Sequence, residues 1–138
     1  MAGNSAFSDV EKEAMKARAK EAREFKKLSG EQQIQLKLEE MSKSDKALAL
    51  KVHKLVLQTA PELEAKTWYG MPAYYLNDKV ICFFQAASKF KVRYCTFGFQ
   101  EAAQVDDGEF WPTSYALTKM TPEVEKKIAK LVKKAVGR

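Results

Sequence analysis

The sequence predicts an α+β fold: a two-layer sandwich with an antiparallel sheet of about five strands packed against N- and C-terminal helices. Good helix formers, with apolar residues at helical spacing, occupy 9–59. Aromatic and β-branched runs cut by Gly and Pro occupy 67–118, and a clean helical stripe returns at 122–136. Helices, then strands, then a helix is the segregated order of an α+β body, not the alternating order of a parallel sheet. At 138 residues the chain has the size of one domain and should bury roughly two thirds of its unfolded surface.

Residues 1–8 read as a loose tail. From Asp9 to about Leu28, Val10, Ala14, Ala17, Phe25 and Leu28 recur at helical spacing, with Glu21 interrupting the stripe. So thin a face predicts a peripheral helix. Ser29-Gly30-Glu31-Gln32 has the form of a capping box, and Ile34, Leu38 and Met41 line one side of the helix that follows. Ser42 to Asp45 opens another helix, with Leu48, Val52, Leu55 and Val56 as its buried stripe. Pro61 disfavours helix just before it, which predicts an end near Thr59.

The pattern changes at Thr67. Gly70 and Pro72 split Thr67–Tyr75 into a short strand, a turn and an edge. Val80–Ala86 is apolar on both phases, which predicts a strand covered on both faces. Ala87-Ser88-Lys89 reads as a turn, Phe90–Phe97 as the next strand, and Gly98 as its end or a bulge. Gln100–Gly108 is a polar connection with one helical turn, and Phe110–Thr118 is the last strand, broken by Pro112. Thr121-Pro122-Glu123 starts a helix with Thr as N-cap and Pro in the first turn. Val124, Ile128, Leu131, Val132 and Ala135 form its stripe. The division expected is a charged helical arm, 1–41, and an α+β domain, 42–136.

The formal charge is +6, spread as +3 over 1–60, −1 over 61–121 and +4 over 122–138. Basic ends suit a polyanion such as nucleic acid, and equally a solvated helix face. Lys12, Lys16, Lys20, Arg23 and Lys27 lie along one helical face of the arm, diluted by Glu11, Glu13, Glu21 and Glu24. Cys82 and Cys95 lie in apolar runs and read as buried reduced thiols, with a cross-strand bridge as the alternative. No apolar run approaches the ~20 residues of a membrane span. Met1 to Ser8 lacks the charged start and apolar core of a signal peptide. The expectation is a cytoplasmic protein with no membrane partner.

Chemistry-bearing motifs are sparse. There is no phosphate loop, dinucleotide turn or G-x-S-x-G elbow. The single histidine, His53, packs or faces solvent unless the fold brings it an acid and a nucleophile. No catalytic set is therefore expected. An enzyme using Lys89 or Tyr94 is the outlying alternative.

Besides the basic arm, three features bear on binding. In the run Trp68–Tyr75, Trp68, Tyr69, Met71, Tyr74 and Tyr75 surround a Gly/Pro turn and either wall a pocket or cap the core. Lys89, Lys91 and Arg93 stand among Phe90, Val92 and Tyr94; on a regular strand Lys91 and Arg93 share a face with Cys95 and Phe97. Cations beside aromatics suit an anionic or aromatic ligand. Asp106, Asp107 and Glu109 flank Gly108 and are the candidate metal ligands, although Asp-Gly is also plain turn chemistry. Trp111 completes the candidate ligand-binding set.

The middle of the chain resembles the YdhG-like family of bacterial proteins, a domain of unknown function. The resemblance is carried by Pro61-Glu62-Leu63, Thr67-Trp68-Tyr69-Gly70-Met71-Pro72-Ala73-Tyr74 and Val80-Ile81-Cys82-Phe83-Phe84. It continues through Ser88-Lys89-Phe90-Lys91, Thr96-Phe97-Gly98-Phe99, Asp106-Asp107-Gly108 and Trp111-Pro112-Thr113-Ser114-Tyr115-Ala116-Leu117. It spans roughly 44–136 and implies a two-layer α+β sandwich. One branch of the family resembles frataxin and is described as an intracellular iron chaperone. That implies iron carriage through exposed carboxylates on an acidic helix and edge strand. Here the corresponding helix is basic, with Lys43, Lys46, Lys51 and Lys54 against Asp45. The expected function is a non-catalytic binding module holding its ligand in an aromatic and basic pocket, in one version an iron carrier. Polyanion binding through the basic ends is the alternative.

Overall fold

The computed structural model describes residues 8–138; apart from Ser8, the expected tail lies outside them. Three helices come first, α1 (Asp9–Lys26), α2 (Gly30–Glu39) and α3 (Lys43–Thr59). Each begins at a serine whose hydroxyl accepts a backbone N–H two or three residues into the helix: Ser8, Ser29 and Ser42. At Ser29 the Gln32 side chain reaches back to complete the capping box.

Five strands follow: β1 (Glu64–Trp68), β2 (Met71–Leu76), β3 (Lys79–Gln85), β4 (Cys95–Phe99) and β5 (Ser114–Leu117). They form one antiparallel meander in the order β1-β2-β3-β4-β5. A one-turn helix, α4 (Ala87–Phe90), separates β3 from β4, and α5 (Pro122–Ala135) closes the chain. Tyr69 and Gly70 (φ 50° and 76°) turn the first hairpin, and Asn77 and Asp78 (φ 51° and 64°) the second. Two successive positive φ values match the twist of the paired strands.

The helices cover one sheet face. Ile34 and Leu38 of α2, Val52 and Val56 of α3 and Val132 of α5 are fully buried. They meet Tyr74, Cys82, Phe84, Phe97 and Leu117 from the strands. Alpha2 comes so close to β1 that a side-chain carbon on Gly30 would collide with the Ala65 carbonyl. The core thus draws on residues of the expected arm, while α1 buries none of its own.

Four local expectations are corrected. The strand predicted over Phe90–Phe97 begins only at Cys95, because Ala87–Phe90 winds into a helical turn and Lys91 adopts a left-handed φ of 54°. The Asp45 carboxylate accepts the Ser88 N–H at 2.7 Å and holds this turn in place. Lys91 and Arg93 therefore do not share a sheet face with Cys95 and Phe97. The strand predicted over Phe110–Thr118 shrinks to Ser114–Leu117, with Phe110 97% exposed. Gln100–Gly108 contains no helix; Ala103 and Val105 are buried, and the Gln104 N–H bonds the Ala135 carbonyl at the end of α5. Finally, β3 is not covered on both faces. Its pairing steps from Tyr74↔Cys82 to Tyr75↔Val80, and Ile81 is the extra residue of this bulge. Ile81 and Cys82 are consequently both buried, whereas Val80 and Phe83 remain half-exposed.

Cys82 and Cys95 are free and buried. Cys82 pairs with Phe99, four residues along β4 from Cys95. That is a separation of about 13 Å along the strand, too far for a bridge.

Candidate functional site

Side chains alternate across a strand, and residues directly opposite on paired strands share a face. Tyr74 points to the helices, where its hydroxyl lies 2.9 Å from His53 Nδ1. Thr67 does likewise, bonding Gln33 of α2 at 3.0 Å. Their neighbours Lys66, Trp68, Ala73 and Tyr75 therefore project to the other side, joined by Met71, Phe83 and Thr96 through the pairing register. Of these only the small Ala73, between Lys66 and Phe83, is buried; the rest are half-exposed.

This outer face is an aromatic surface. The Trp68 and Phe83 rings lie 5.4 Å apart, and Tyr69 meets Trp68 edge-on at 5.1 Å. Phe83 can lie flat across β4 because its neighbour there is Gly98, where any side-chain carbon would collide with the ring. The Lys66 ammonium sits 4.4 Å from the Tyr75 ring centre, and the Tyr75 hydroxyl donates to the Thr67 carbonyl at 3.1 Å. Burial raises the Tyr75 phenol above its ordinary value. A shallow hollow of about 250 Å³ adjoins Trp68, bounded by Lys79, Val80, Gln100 and Glu101.

At one end the surface meets the α4 corner. The Lys89 ammonium lies 2.9 Å from where a side chain on Gly70 would begin, and the φ of 76° at Gly70 is the left-handed conformation that favours glycine. Tyr69 is 82% exposed on the hairpin tip, and Phe90 and Val92 are half in solvent at the corner. The Arg93 guanidinium lies 5.1 Å from the Tyr94 ring centre. Asp45 anchors this corner from inside. Burial raises its carboxyl, but hydrogen bonds from Ser88, Cys95 and Ser42 outweigh that and hold it below the ordinary range. Burial pushes the Cys95 thiol up to about 11, and it donates to Asp45 at 3.3 Å.

The expected ligand-binding set divides. Trp68, Tyr69, Met71 and Lys89 come together at the hairpin tip and outer face. Lys91, Arg93 and Tyr94 are neighbours of Lys89 on the corner loop, not on a strand. Tyr74 is fully buried on the opposite face, and Trp111 packs against the helix-side core. Neither belongs to the surface. Phe83 is absent from the set, and Tyr75, which closes the Trp68–Tyr75 run, lies on the outer face. The uninterrupted apolar run of β3 concealed that Phe83 faces outward, because the bulge that shifts the phase leaves no mark in the sequence.

His53 finds partners that sequence spacing did not show. Its Nε2 lies 2.6 Å from Glu31 and its Nδ1 faces Tyr74, which links α2, α3 and β2 in one chain of hydrogen bonds. The Tyr74 hydroxyl at its end is sealed from solvent, with burial holding the phenol well above its ordinary value. An acid, an imidazole and a hydroxyl thus align, but Glu31 is the end that meets solvent and the hydroxyl lies buried at the inner end, so these three side chains act as an interlayer clamp. Asp106, Asp107 and Glu109 are exposed, and among the described residues no three acidic, histidine or cysteine side chains converge as a metal site. No helix among the described residues is long and apolar enough to cross a membrane.

In comparison with known proteins, no family model matches the chain, and no curated protein or solved structure matches it significantly.

Proposed function

We propose that this protein is a non-catalytic binding module that takes a flat, anionic ligand onto the outer face of its sheet. The supporting observation is the Trp68–Phe83 pair, 5.4 Å apart on a half-exposed surface, with Lys89 at its end beside Gly70. Planar rings stack on such aromatics for about 1–3 kcal/mol each. A cation at the margin fixes the orientation of an anionic substituent. Lys91 and Arg93 add positive charge on the same corner, and Lys66 and Lys79 flank the far side. Strand geometry holds Trp68 and Phe83 in place before any ligand arrives, which limits the entropy cost of binding.

Membership of the YdhG-like family is part of the proposal and rests on the residues quoted for it. The Trp68-Tyr69-Gly70-Met71-Pro72 run that carries the resemblance is also the segment that builds the hairpin tip of this surface.

The test is a titration of nucleoside monophosphates, as flat anionic probes, followed by Trp fluorescence and calorimetry. Saturable binding is expected, weakened at least about tenfold by Trp68→Ala and by Lys89→Ala. Trp111→Phe, on the helix side, should leave it unchanged. Equal affinity in wild type and both surface variants sinks the proposal.

A further inference from the structure

The two edges of the sheet are finished differently. Beta1 has α2 packed against it, whereas β5 runs along an open groove of about 570 Å³ beside α5. Phe97, Leu117, Val124, Ile128 and Leu131 form the apolar floor of this groove. Its rim carries Lys127, Lys130 and Lys134, with Asp107 as the one acid.

The backbone of β5 is half-used. The Thr113 carbonyl accepts the Phe99 N–H at 2.7 Å, and Tyr115 and Leu117 pair with Phe97 and Cys95. Antiparallel strands turn alternate residues to alternate sides, so Ser114 and Ala116 aim their N–H and C=O groups outward. Both residues are exposed, and no described residue bonds to these groups. Lys127 has Glu123 as a partner at 3.4 Å, while Lys130 and Lys134 have no acid partner among the described residues.

We propose that this edge and groove receive an extended acidic segment of a partner protein, added to β5 as a sixth strand. Alternating free donors and acceptors match a peptide backbone. A phosphate backbone offers acceptors only and would leave the outward carbonyls unmet. The apolar floor takes alternate side chains of the added strand. The lysines span about 10 Å of helix, and same-side residues of an extended chain recur every ~7 Å. Two or three carboxylates on the segment can therefore meet them. A second copy of this chain is the poorer occupant, because the 122–138 stretch carries +4 and two copies would set these charges face to face.

The test uses the full chain and a fluorescent ten-residue peptide alternating valine with aspartate and glutamate. Anisotropy should show saturable binding, reduced at least about tenfold in the double variant Lys130→Glu, Lys134→Glu at unchanged melting temperature. The same peptide N-methylated at alternate amides should not bind, and Ser114 and Ala116 amide exchange should slow only with the unmodified peptide. Ala116→Pro removes an outward N–H at an edge position that tolerates proline and should also abolish binding. Equal affinity for the N-methylated peptide would falsify strand addition whether or not that variant folds. Failure of the unmodified peptide to bind at millimolar concentration overturns the proposal. So does displacement by single-stranded DNA of matched charge, which would mark a generic anion surface, or a dimer through β5 by ultracentrifugation.

Discussion

Tyr69 shows how one residue trades stability for exposure. A bulky aromatic at φ 50° occupies the left-handed region that glycine and asparagine enter freely, at a cost of about 1–2 kcal/mol. In return its ring stands 82% exposed beside Trp68. Tyr69→Asn should raise the urea-unfolding free energy by about 1 kcal/mol and weaken the flat anionic probe. A less stable variant would remove the strain argument. Asp45 works in the opposite sense. Its folded carboxyl lies below the ordinary value, so its stabilisation is complete above the unfolded value of about 4. That stabilisation is lost as the pH falls through the folded value. Asp45→Asn should therefore flatten the acid limb of melting temperature against pH while lowering the neutral plateau; an unchanged acid limb contradicts the linkage. At this scale the caps were readable, because Ser29 and Thr121 act on neighbours in the chain. The Glu31–His53–Tyr74 clamp was not, since its members lie 22 and 21 residues apart.

Among the elements, α2 and the α4 corner are set by contacts rather than propensity. Alanine exceeds glycine as a helix former by about 1 kcal/mol. Yet Gly30 lies against the Ala65 carbonyl, where overpacking costs about 1–3 kcal/mol. The clash should win, so Gly30→Ala is expected to destabilise the protein in chemical denaturation despite the better helix residue. A stabilised variant would mean that α2 is free to move away from β1. The amphipathic stripes of α3 and α5 were visible in the sequence and lie buried as expected. The Phe90–Phe97 strand misled because alternating residues there satisfy the strand pattern. Asp45, 43 residues away, captures the Ser88 N–H and closes a helical turn instead.

For the whole molecule, one layer of helices on one sheet face leaves the thiols inside and Trp68, Tyr75 and Phe83 on the open face. Burial raises both Cys82 and Cys95 far above an ordinary thiol, so neither supplies thiolate at neutral pH. Labelling by a thiol reagent should proceed only as fast as global opening and show the same denaturant dependence for both residues. Rapid labelling of Cys95 alone would show that the α4 corner opens by itself. The sequence by itself determined the α+β class, the starts of α1, α2, α3 and α5, the meander order and the aromatic hairpin, because caps, turn residues and periodicity act over a few positions. Only the tertiary structure decided which aromatics face outward, that Tyr74 and Trp111 turn inward, and that β5 keeps a free edge among the described residues. Those outcomes depend on a bulge at Ile81 and on contacts between residues far apart in the chain. A bulge shifts the phase of every side chain beyond it without changing the composition that local rules read.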